Sequence, residues 1–324
     1  MKPKVFVTRI IPDEGLALIR EECAMKLWED ELPPPRQVLL DEVRKIDGLV
    51  SLLTDRVDAE LMDSNPRLRV ISNYAVGFDN IDIPAATARS IPVGNTPGVL
   101  TDTTADLAFT LLMAAARRIV EGADYVRAGK WRTWGPKLLT GQDIHHATLG
   151  IIGFGRIGQS IARRAQGFDM TVIYFDVYRR KDLEESMRIE FAELPALYAR
   201  SDFITIHTDL NAQTRHMLDA AAFKQMKRTA IVINTARGPI IDHDALYQAL
   251  ASGIIGGAAL DVTEPEPIPK GSPLHMLPNC LIVPHIASAS VATRAKMAQM
   301  AAANLIAGLR GERLPHCVNP EVYK

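Results

Sequence analysis

The residues with the clearest chemical implication form a glycine-rich turn, Gly153-Phe154-Gly155-Arg156-Ile157-Gly158. A strand-like segment precedes the turn, and a helix is predicted over 159–166. In this setting the first glycine permits a tight turn, the second lets the backbone approach a pyrophosphate, and the third lets helix and strand pack closely. The start of the helix offers free N–H groups and a partial positive charge to the anion. The pattern predicts a dinucleotide-binding turn.

An acidic residue stands where a nucleotide ribose would be bound. Asp176 lies 18 residues after Gly158 (158 to 176), close to the spacing of about 20 expected for this motif. A carboxylate there accepts hydrogen bonds from ribose hydroxyls and repels a 2′-phosphate, which favours NAD(H). The basic run 179–181 could hold a 2′-phosphate if it folded over the site. We interpret this run as a solvated loop, so NAD(H) is expected and NADP(H) is left open.

Three further polar residues, Arg237, Glu266 and His285, each come shortly after a strand-like segment in the second half of the chain. If those segments are parallel strands, all three residues lie at the carboxyl edge of one sheet, where open α/β sheets bind their ligands. Each alone has a simpler explanation, as a surface arginine, a loop acid and one of eight histidines. Their shared edge with the glycine turn favours a common site.

The elements that must position these residues alternate along the 324-residue chain, whose length predicts two domains. Short apolar runs, nearly continuous and rich in β-branched residues, are separated by polar stretches of helix length. The runs are 5–7, 48–53, 68–72, 91–93, 149–152, 171–175, 203–207, 230–234, 257–262 and 281–284. Both halves are therefore predicted to be α/β doubly wound folds. A long helix is predicted over 103–128, and an amphipathic helix over 290–309 could return to the first domain.

Composition disfavours several classes of protein. Lys and Arg number 37 and Asp and Glu 38, a net charge of −1, whereas nucleic-acid-binding proteins carry a basic excess. The three cysteines show no C-x-x-C spacing, so no metal or redox site is expected. The N-terminus is typical of a strand and not of a signal peptide. The most apolar helical run, 107–116, is too short to span a bilayer, so a cytoplasmic protein without a membrane partner is expected.

Further motifs are Val76-Gly77-Phe78-Asp79-Asn80-Ile81-Asp82, and Asn95-Thr96-Pro97 together with Thr104-Ala105-Asp106. With the glycine turn and the segments around Arg237, Glu266 and His285, they make the sequence resemble the D-isomer-specific 2-hydroxyacid dehydrogenases along nearly its whole length. The segments 100–105, 246–253 and 307–312 are similar to the glyoxylate/hydroxypyruvate reductase branch of that family.

The resemblance implies reduction of a small 2-keto acid to the D-2-hydroxy acid by hydride transfer from NAD(P)H. Arg237 would bind the substrate carboxylate and polarise the keto oxygen. His285 would protonate that oxygen, and Glu266 would orient the imidazole and favour its charged form. Further substrate contacts are implied for Leu53, Val76, Gly77, Ser288 and Trp134. Cofactor contacts are implied for Thr104, Gly153, Gly155, Arg156, Ile157, Gly158, Asp176, Thr235, Ala236 and Asp261.

The resemblance also implies the architecture. A flavodoxin-like, discontinuous substrate domain would comprise 1–100 and 288–324, and a Rossmann NAD(P)-binding domain would comprise 101–287, with the active site in the cleft between them. Family members are usually homodimers. Trp134 matches a tryptophan that reaches the neighbouring subunit's substrate pocket in this branch, although it could instead only anchor the interface.

Three positions depart from the family pattern. Asp209 stands where His-x-Pro-Leu has proline, which adds negative charge on the adenine–ribose side. Ala287 replaces the usual glycine and would tighten the pocket beside Ser288. Reductases of this branch often use NADP and lack an acid at the position of Asp176, so the branch and the residue favour different cofactors. We follow the residue.

Three alternatives remain open. Phosphite dehydrogenases of the same family carry lysine where this sequence has Val76. The 3-phosphoglycerate dehydrogenases usually carry a regulatory extension, and this sequence ends near Lys324. The third alternative is a non-catalytic, NAD(H)-sensing protein related to the C-terminal-binding corepressors, which keep the fold and the triad but usually have flexible tails.

Overall fold

The alternation of strands and helices produces two parallel sheets. The computed structural model describes residues 1–324 and divides the chain into two units. The first unit comprises Met1–Leu100 and Ala289–Lys324, and the second comprises Thr101–Ser288. Each unit contains one sheet whose strands all pair in parallel, so the predicted α/β doubly wound class is confirmed.

The first unit is built on a five-stranded sheet. Its strands are β1 (Lys4–Val7), β2 (Ala24–Leu27), β3 (Gly48–Ser51), β4 (Val70–Asn73) and β5 (Val93–Gly94). They lie in the order β2-β1-β3-β4-β5, which is the flavodoxin-like order. With numbering that follows the chain, its helices are α1 (Asp13–Glu22), α2 (Arg36–Val43), α3 (Ala59–Asp63), α4 (Ile83–Ala88) and α12 (Val291–Arg310).

Helix α12 belongs to the first unit although it comes last in the chain. It packs against α1, β3 and β4. The approach to α1 is close, because a Cβ on Gly15 would lie 2.5 Å from the Ala298 carbonyl oxygen. The helix begins where Ser290 Oγ accepts the Thr293 N–H at 3.2 Å and ends at Gly311, whose φ is 75°. The helix expected over 290–309 is therefore present.

The second unit is built on a seven-stranded sheet. Its strands are β6 (Thr148–Ile152), β7 (Thr171–Phe175), β8 (Ile189–Phe191), β9 (Phe203–Ile206), β10 (Ile231–Asn234), β11 (Gly257–Leu260) and β12 (Cys280–Ile282). Their order, β12-β11-β10-β9-β6-β7-β8, is the Rossmann order with one added strand, and it reverses between β6 and β9. The helices are α5 (Thr101–Ala116), α6 (Ile119–Arg127), α7 (Arg156–Gln166), α8 (Lys181–Glu184), α9 (Leu194–Arg200), α10 (Ala220–Lys224) and α11 (His243–Ala251).

The structure differs from the sequence-based expectation in two respects. The helix predicted over 103–128 is two helices, α5 and α6, because Arg118 between them adopts a left-handed φ of 51°. Strands β2 and β8 are absent from the predicted runs. Both lie at sheet edges, and each leaves alternate residues exposed, so neither shows the continuous apolar run of a strand buried on both faces.

Candidate active site

The glycine turn connects β6 to α7 and is compressed at two of its three glycines. Gly153 has a φ of 91°, and a Cβ there would lie 2.6 Å from the His207 carbonyl. A Cβ on Gly158 would overlap the carbonyl oxygen of Gly153. Gly155, in contrast, is exposed and has no atom within 4 Å of a Cβ position. The turn is therefore tight where strand and helix meet and open where a pyrophosphate would approach.

The N-terminus of α7 is suited to an anion. Gly155 is its N-cap and supplies no side-chain hydrogen bond, and the first turn contains no acidic residue. The first N–H groups of the helix consequently have no partner from a cap. Arg156 beside them is exposed, and Ile157 is half-buried. These residues fit the diphosphate of a dinucleotide.

Asp176 follows β7 next to the glycine turn. Its two carboxylate oxygens accept the Phe154 N–H at 2.6 Å and the Tyr178 N–H at 2.9 Å, which fixes the side chain at the strand end. The neighbouring arginines are paired locally. Arg179 binds both carboxylate oxygens of Glu184 at 2.7 and 2.8 Å, and Arg180 binds those of Asp182 at 2.9 and 2.7 Å. The basic run therefore has acidic partners of its own.

The segment that follows β10 combines a fixed backbone with an unpaired hydroxyl. Asn234 accepts the Ala236 N–H at 3.0 Å and donates to the Arg237 carbonyl at 2.9 Å. The Thr235 hydroxyl oxygen is buried and has no hydrogen-bond partner in the protein. Buried polar groups normally have partners, so this hydroxyl is suited to a ligand. Thr104, also expected near the cofactor, is 3% exposed in the first turn of α5.

His285 and Glu266 form a direct pair. His285 Nδ1 lies 2.5 Å from Glu266 Oε1, and the two side chains are 27% and 40% exposed. The other carboxylate oxygen of Glu266 accepts the Thr263 N–H at 3.3 Å. Burial alone would raise the pKa of Glu266, but the hydrogen bond and charge of His285, with help from Thr263 and Arg237, hold that pKa below its usual value. Glu266 is therefore a stable anion that orients the imidazole.

Arg237 lies on the adjacent strand end. Strands β10, β11 and β12 are neighbours, so Arg237, Glu266 and His285 follow three consecutive strands of one sheet. The Arg237 side chain is half-buried, and its Nη1 donates to the Ala236 carbonyl at 2.8 Å. Its charge contributes to the lowered pKa of Glu266. The second unit thus brings an imidazole, its carboxylate partner and a guanidinium to the same edge.

Asp261 supports the loop that carries His285. Its carboxylate accepts the Ile286 N–H at 2.6 Å and the Ala287 N–H at 2.9 Å, and its carbonyl accepts the His285 N–H at 2.9 Å. Burial raises the pKa of Asp261, although the two N–H bonds oppose the rise. His285 itself has a left-handed φ of 51°, uncommon outside glycine, and these bonds hold it there. Sequence reasoning assigned Asp261 to the cofactor and missed this support.

In the first unit, the loop after β4 is held through its carbonyl groups. Asn95 donates to the Val76 carbonyl at 2.8 Å, and Asn73 donates to the Gly77 carbonyl at 2.9 Å. The N–H groups of Val76 and Gly77 make no hydrogen bond to a backbone carbonyl of the loop. Two adjacent N–H groups of this kind suit a carboxylate. The roles of Asn73 and Asn95 were not predicted, because asparagine at a strand end gives no specific signal.

The remaining expected substrate contacts differ in exposure. Leu53 in the first unit and Ser288 in the second are half-buried, and Ala287 beside Ser288 is 6% exposed. Trp134 is 78% exposed. No group of three or more His, Cys, Asp or Glu side chains is arranged to hold a metal ion. None of the helices combines the length and hydropathy needed to cross a membrane.

Comparisons with known proteins agree with this geometry. Residues 109–287 match the family model described as D-isomer specific 2-hydroxyacid dehydrogenase, NAD binding domain. The chain is 53% identical over 325 residues to a glyoxylate reductase of Korarchaeum cryptofilum, covering 100% of this chain and 98% of that protein. It is 49% identical over 326 residues to the glyoxylate reductase of Thermococcus litoralis, covering 99% and 98% respectively.

Solved structures show the same architecture. A crystal structure of a protein from Thermus thermophilus is 44% identical, with a TM-score of 0.92 over 97% of this chain and 99% of that one. The NADPH-dependent glyoxylate/hydroxypyruvate reductase of Sinorhizobium meliloti, solved with NADP and malonate, is 30% identical, with a TM-score of 0.86 over 99% and 98%.

Proposed function

Because this chain belongs to the D-isomer-specific 2-hydroxyacid dehydrogenases, in their glyoxylate reductase branch, we propose that it converts glyoxylate or hydroxypyruvate to the D-2-hydroxy acid. It is an NAD(P)-dependent oxidoreductase that acts on glyoxylate-type substrates. The observation that carries the finer assignment is the 2.5 Å contact between His285 and Glu266, in the sheet that also bears the glycine turn.

The proposed chemistry divides among this chain's own residues. Bound NAD(P)H supplies the hydride that reduces the keto carbon. His285 donates the proton from Nε2 to the keto oxygen, because Nδ1 is already occupied by Glu266. In the oxidative direction the same nitrogen removes the proton. Glu266 balances the positive charge of the imidazolium before the proton leaves.

The substrate carboxylate needs two kinds of partner in this proposal. Arg237 presents a planar, permanently charged group that can bind the carboxylate and polarise the keto oxygen. The N–H groups of Val76 and Gly77 are proposed to bind the remaining carboxylate oxygen, since neither is bound to a backbone carbonyl. Leu53, Ser288 and Trp134 are proposed to border the substrate.

We propose that NADH is the preferred cofactor. Asp176 is held at the end of β7 by two N–H groups, where its charge would oppose a 2′-phosphate. Arg179 and Arg180 are each paired with an acid and so offer little free charge to that phosphate. Replacing Asp176 by Ser should lower the NADH-to-NADPH ratio of kcat/KM by about tenfold or more. An unchanged ratio would contradict this preference.

We also propose a homodimer. Helix α6 buries none of its residues, and its Ile119, Val120 and Val126 side chains are 59%, 46% and 53% exposed. Trp131 and Trp134 beyond it are 61% and 78% exposed. Such an apolar surface is typical of a protein interface. Sedimentation should give twice the chain mass, and Trp134→Ala should raise the KM of the keto acid if the tryptophan enters the partner's pocket.

The first test of the function is steady-state oxidation of NADH and, separately, of NADPH with glyoxylate, hydroxypyruvate and pyruvate. Phosphite with NAD serves as the test for a phosphite dehydrogenase, and His285→Ala as the blank. Turnover of glyoxylate or hydroxypyruvate that disappears in His285→Ala supports the proposal. Tight NADH binding without turnover of any keto acid would favour the sensing protein instead.

A further inference from the structure

The loop that carries Glu266 is held by a second polar cluster on its other side. Glu264 lies two residues before Glu266, and each of its carboxylate oxygens has a partner. Arg215 Nη2 donates to Oε1 at 2.5 Å, and His216 Nε2 lies 2.7 Å from Oε2. The backbone of the same residue is bound as well. His243 Nδ1 lies 2.9 Å from the Glu264 carbonyl oxygen and 3.1 Å from its nitrogen. We call these four residues the Glu264 anchor.

The carboxylate at the centre of the Glu264 anchor is only partly exposed, although its partner Arg215 is 52% exposed. The Glu264 side chain is 28% exposed, against 40% for His216. Burial alone would raise the pKa of Glu264, but the hydrogen bonds from His216 and Arg215 outweigh it and hold that pKa below its usual value. Burial also lowers the pKa of His243, although its hydrogen bond to the Glu264 backbone opposes that shift. Glu264 is thus fixed through both its side chain and its backbone.

The elements that supply the anchor are themselves tied together. The His216 N–H donates to the Pro239 carbonyl at 2.8 Å, and Leu218 forms a parallel bridge with Ile241. His243 is the first residue of α11. The anchor therefore connects the Glu266 loop to the segment that follows Arg237.

The loop between Glu264 and Glu266 is restrained by its own hydrogen bonds and by close packing. The Thr263 hydroxyl donates to the Pro265 carbonyl at 2.8 Å, and the Thr263 N–H donates to Glu266 itself at 3.3 Å. Gly238 packs so closely against the loop that a Cβ there would overlap the Thr263 carbonyl. A displacement of Glu264 must consequently move Thr263 and the carboxylate of Glu266.

We propose that Glu264 is a positioning residue which, through Arg215, His216 and His243, holds the Glu266 carboxylate against His285. The anchor makes no direct contact with that pair and acts through the backbone of 263–266. This inference rests on the proposed function for its catalytic consequence, but the contact that it predicts between Glu266 and His285 can be observed without turnover.

The kinetic test compares Glu264→Ala with Glu264→Gln. Small displacements of a catalytic group can cost up to about 100-fold, so Glu264→Ala should lower kcat by about 10- to 100-fold, with the KM for NADH within about twofold of wild type. Glu264→Gln keeps the oxygen that accepts from Arg215 or His216 and should recover a large part of the loss. Likewise, His216→Ala should lower kcat more than His216→Gln does.

Glu190→Ala is the matched control. Glu190 forms a two-point ion pair with Arg200, at 2.5 and 2.6 Å, in the same unit but on edge strand β8. Its loss should change the melting temperature about as much as Glu264→Ala does and leave kcat unchanged. An equal fall in kcat in both variants would show a general loss of structure and would overturn the proposal.

A spectroscopic test separates this proposal from the proposed function. The short His285–Glu266 contact should give a downfield Nδ1 proton resonance in the NMR spectrum that His285→Ala lacks. Glu264→Ala should shift or abolish that resonance, and Glu190→Ala should retain it. If the wild-type protein shows the resonance but reduces no keto acid, the proposed function fails. The proposal for Glu264 is then tested only by whether Glu264→Ala shifts the Nδ1 resonance. A resonance unchanged in Glu264→Ala would overturn the anchor.

Discussion

Two histidines stand at the same edge of one sheet and differ in what they can do. His207 follows β9, and His285 follows β12. The His207 ring has Nε2 2.9 Å from the Thr205 hydroxyl, while Nδ1 is buried without a partner, and burial lowers the pKa of His207 to about 3. The His285 side chain is 27% exposed and paired with Glu266.

The difference teaches that residue type and strand position do not define a proton carrier. His207 stays neutral at every pH at which the protein would work, because no charged partner offsets its burial. His285 has both a carboxylate partner on Nδ1 and a second ring nitrogen, Nε2, for another partner. A proton carrier needs partial exposure and an ionic partner, and of these two histidines His285 has both and His207 has neither.

The largest expected effect is the contrast between His285→Ala and His207→Gln. Loss of the acid–base group should lower kcat by about 10²–10⁴-fold, because the keto oxygen is no longer protonated. His207→Gln should leave kcat within about threefold, since glutamine can still reach Thr205 and the neutral ring carries no positive charge. Equal losses of kcat, with equal NADH affinity by fluorescence titration, would break the comparison.

Removing the partner of His285 should have the next largest effect. In Glu266→Gln the charge-assisted hydrogen bond, worth about 1.5–3 kcal/mol, becomes a neutral one, so kcat/KM for reduction should fall by about 10- to 100-fold. The binding constant of NADH should not change. If kcat/KM in this variant equals that of the parent, His285 works without its carboxylate partner. Pairing with a carboxylate would then no longer distinguish His285 from His207.

His207 should be visible in the pH dependence of stability. Its pKa is about 3 in the folded protein against an ordinary value of 6.5, so below pH 6.5 the unfolded chain binds the additional proton. The stability that depends on the neutral ring is present above pH 6.5 and is lost as the pH falls towards 3. The free energy of unfolding of the parent should therefore fall by up to about 1.4 kcal/mol per pH unit more steeply than that of His207→Gln. Urea unfolding between about pH 4 and 6 would measure this difference, and parallel curves would show that the His207 ring is protonated in the native state.

The smallest effect concerns Thr205. In Thr205→Val the ring of His207 loses its only hydrogen-bond partner, which should destabilise the second unit by about 1 kcal/mol at about pH 7. Catalysis should be unaffected, because Thr205 is buried within β9. A fall in kcat without a change in stability would place His207 in the catalytic machinery after all.

Much of the fold could be predicted because its signals are local. The central strands are buried on both faces and therefore show as apolar runs, and the glycine turn shows the three positions at which side chains do not fit or must be absent. Strands β2 and β8 were missed because their residues are alternately exposed, so neither forms a continuous apolar run. The break at Arg118 was missed because nothing in an arginine pair marks a left-handed residue.

The candidate site could be predicted only in part. Arg237, Glu266 and His285 were predicted from their placement after strands and from the family resemblance, and the structure brings Glu266 and His285 into contact. The supports of the site were not recognised: Asn234 beneath the Arg237 segment, Asp261 beneath the His285 loop, and Glu264 behind Glu266. These residues act through backbone groups or through partners distant in sequence, so no local pattern identifies them.

The sequence by itself determined the α/β class, the dinucleotide-binding turn and the residue types available for proton transfer. These properties depend on side-chain periodicity, on glycine's lack of a Cβ and on the chemistry of single side chains. The tertiary structure decided which histidine is paired and which is buried, because burial and hydrogen-bond partners exist only once β9, β11 and β12 lie in one sheet. The local dielectric and the partner then set the charge that each imidazole can carry.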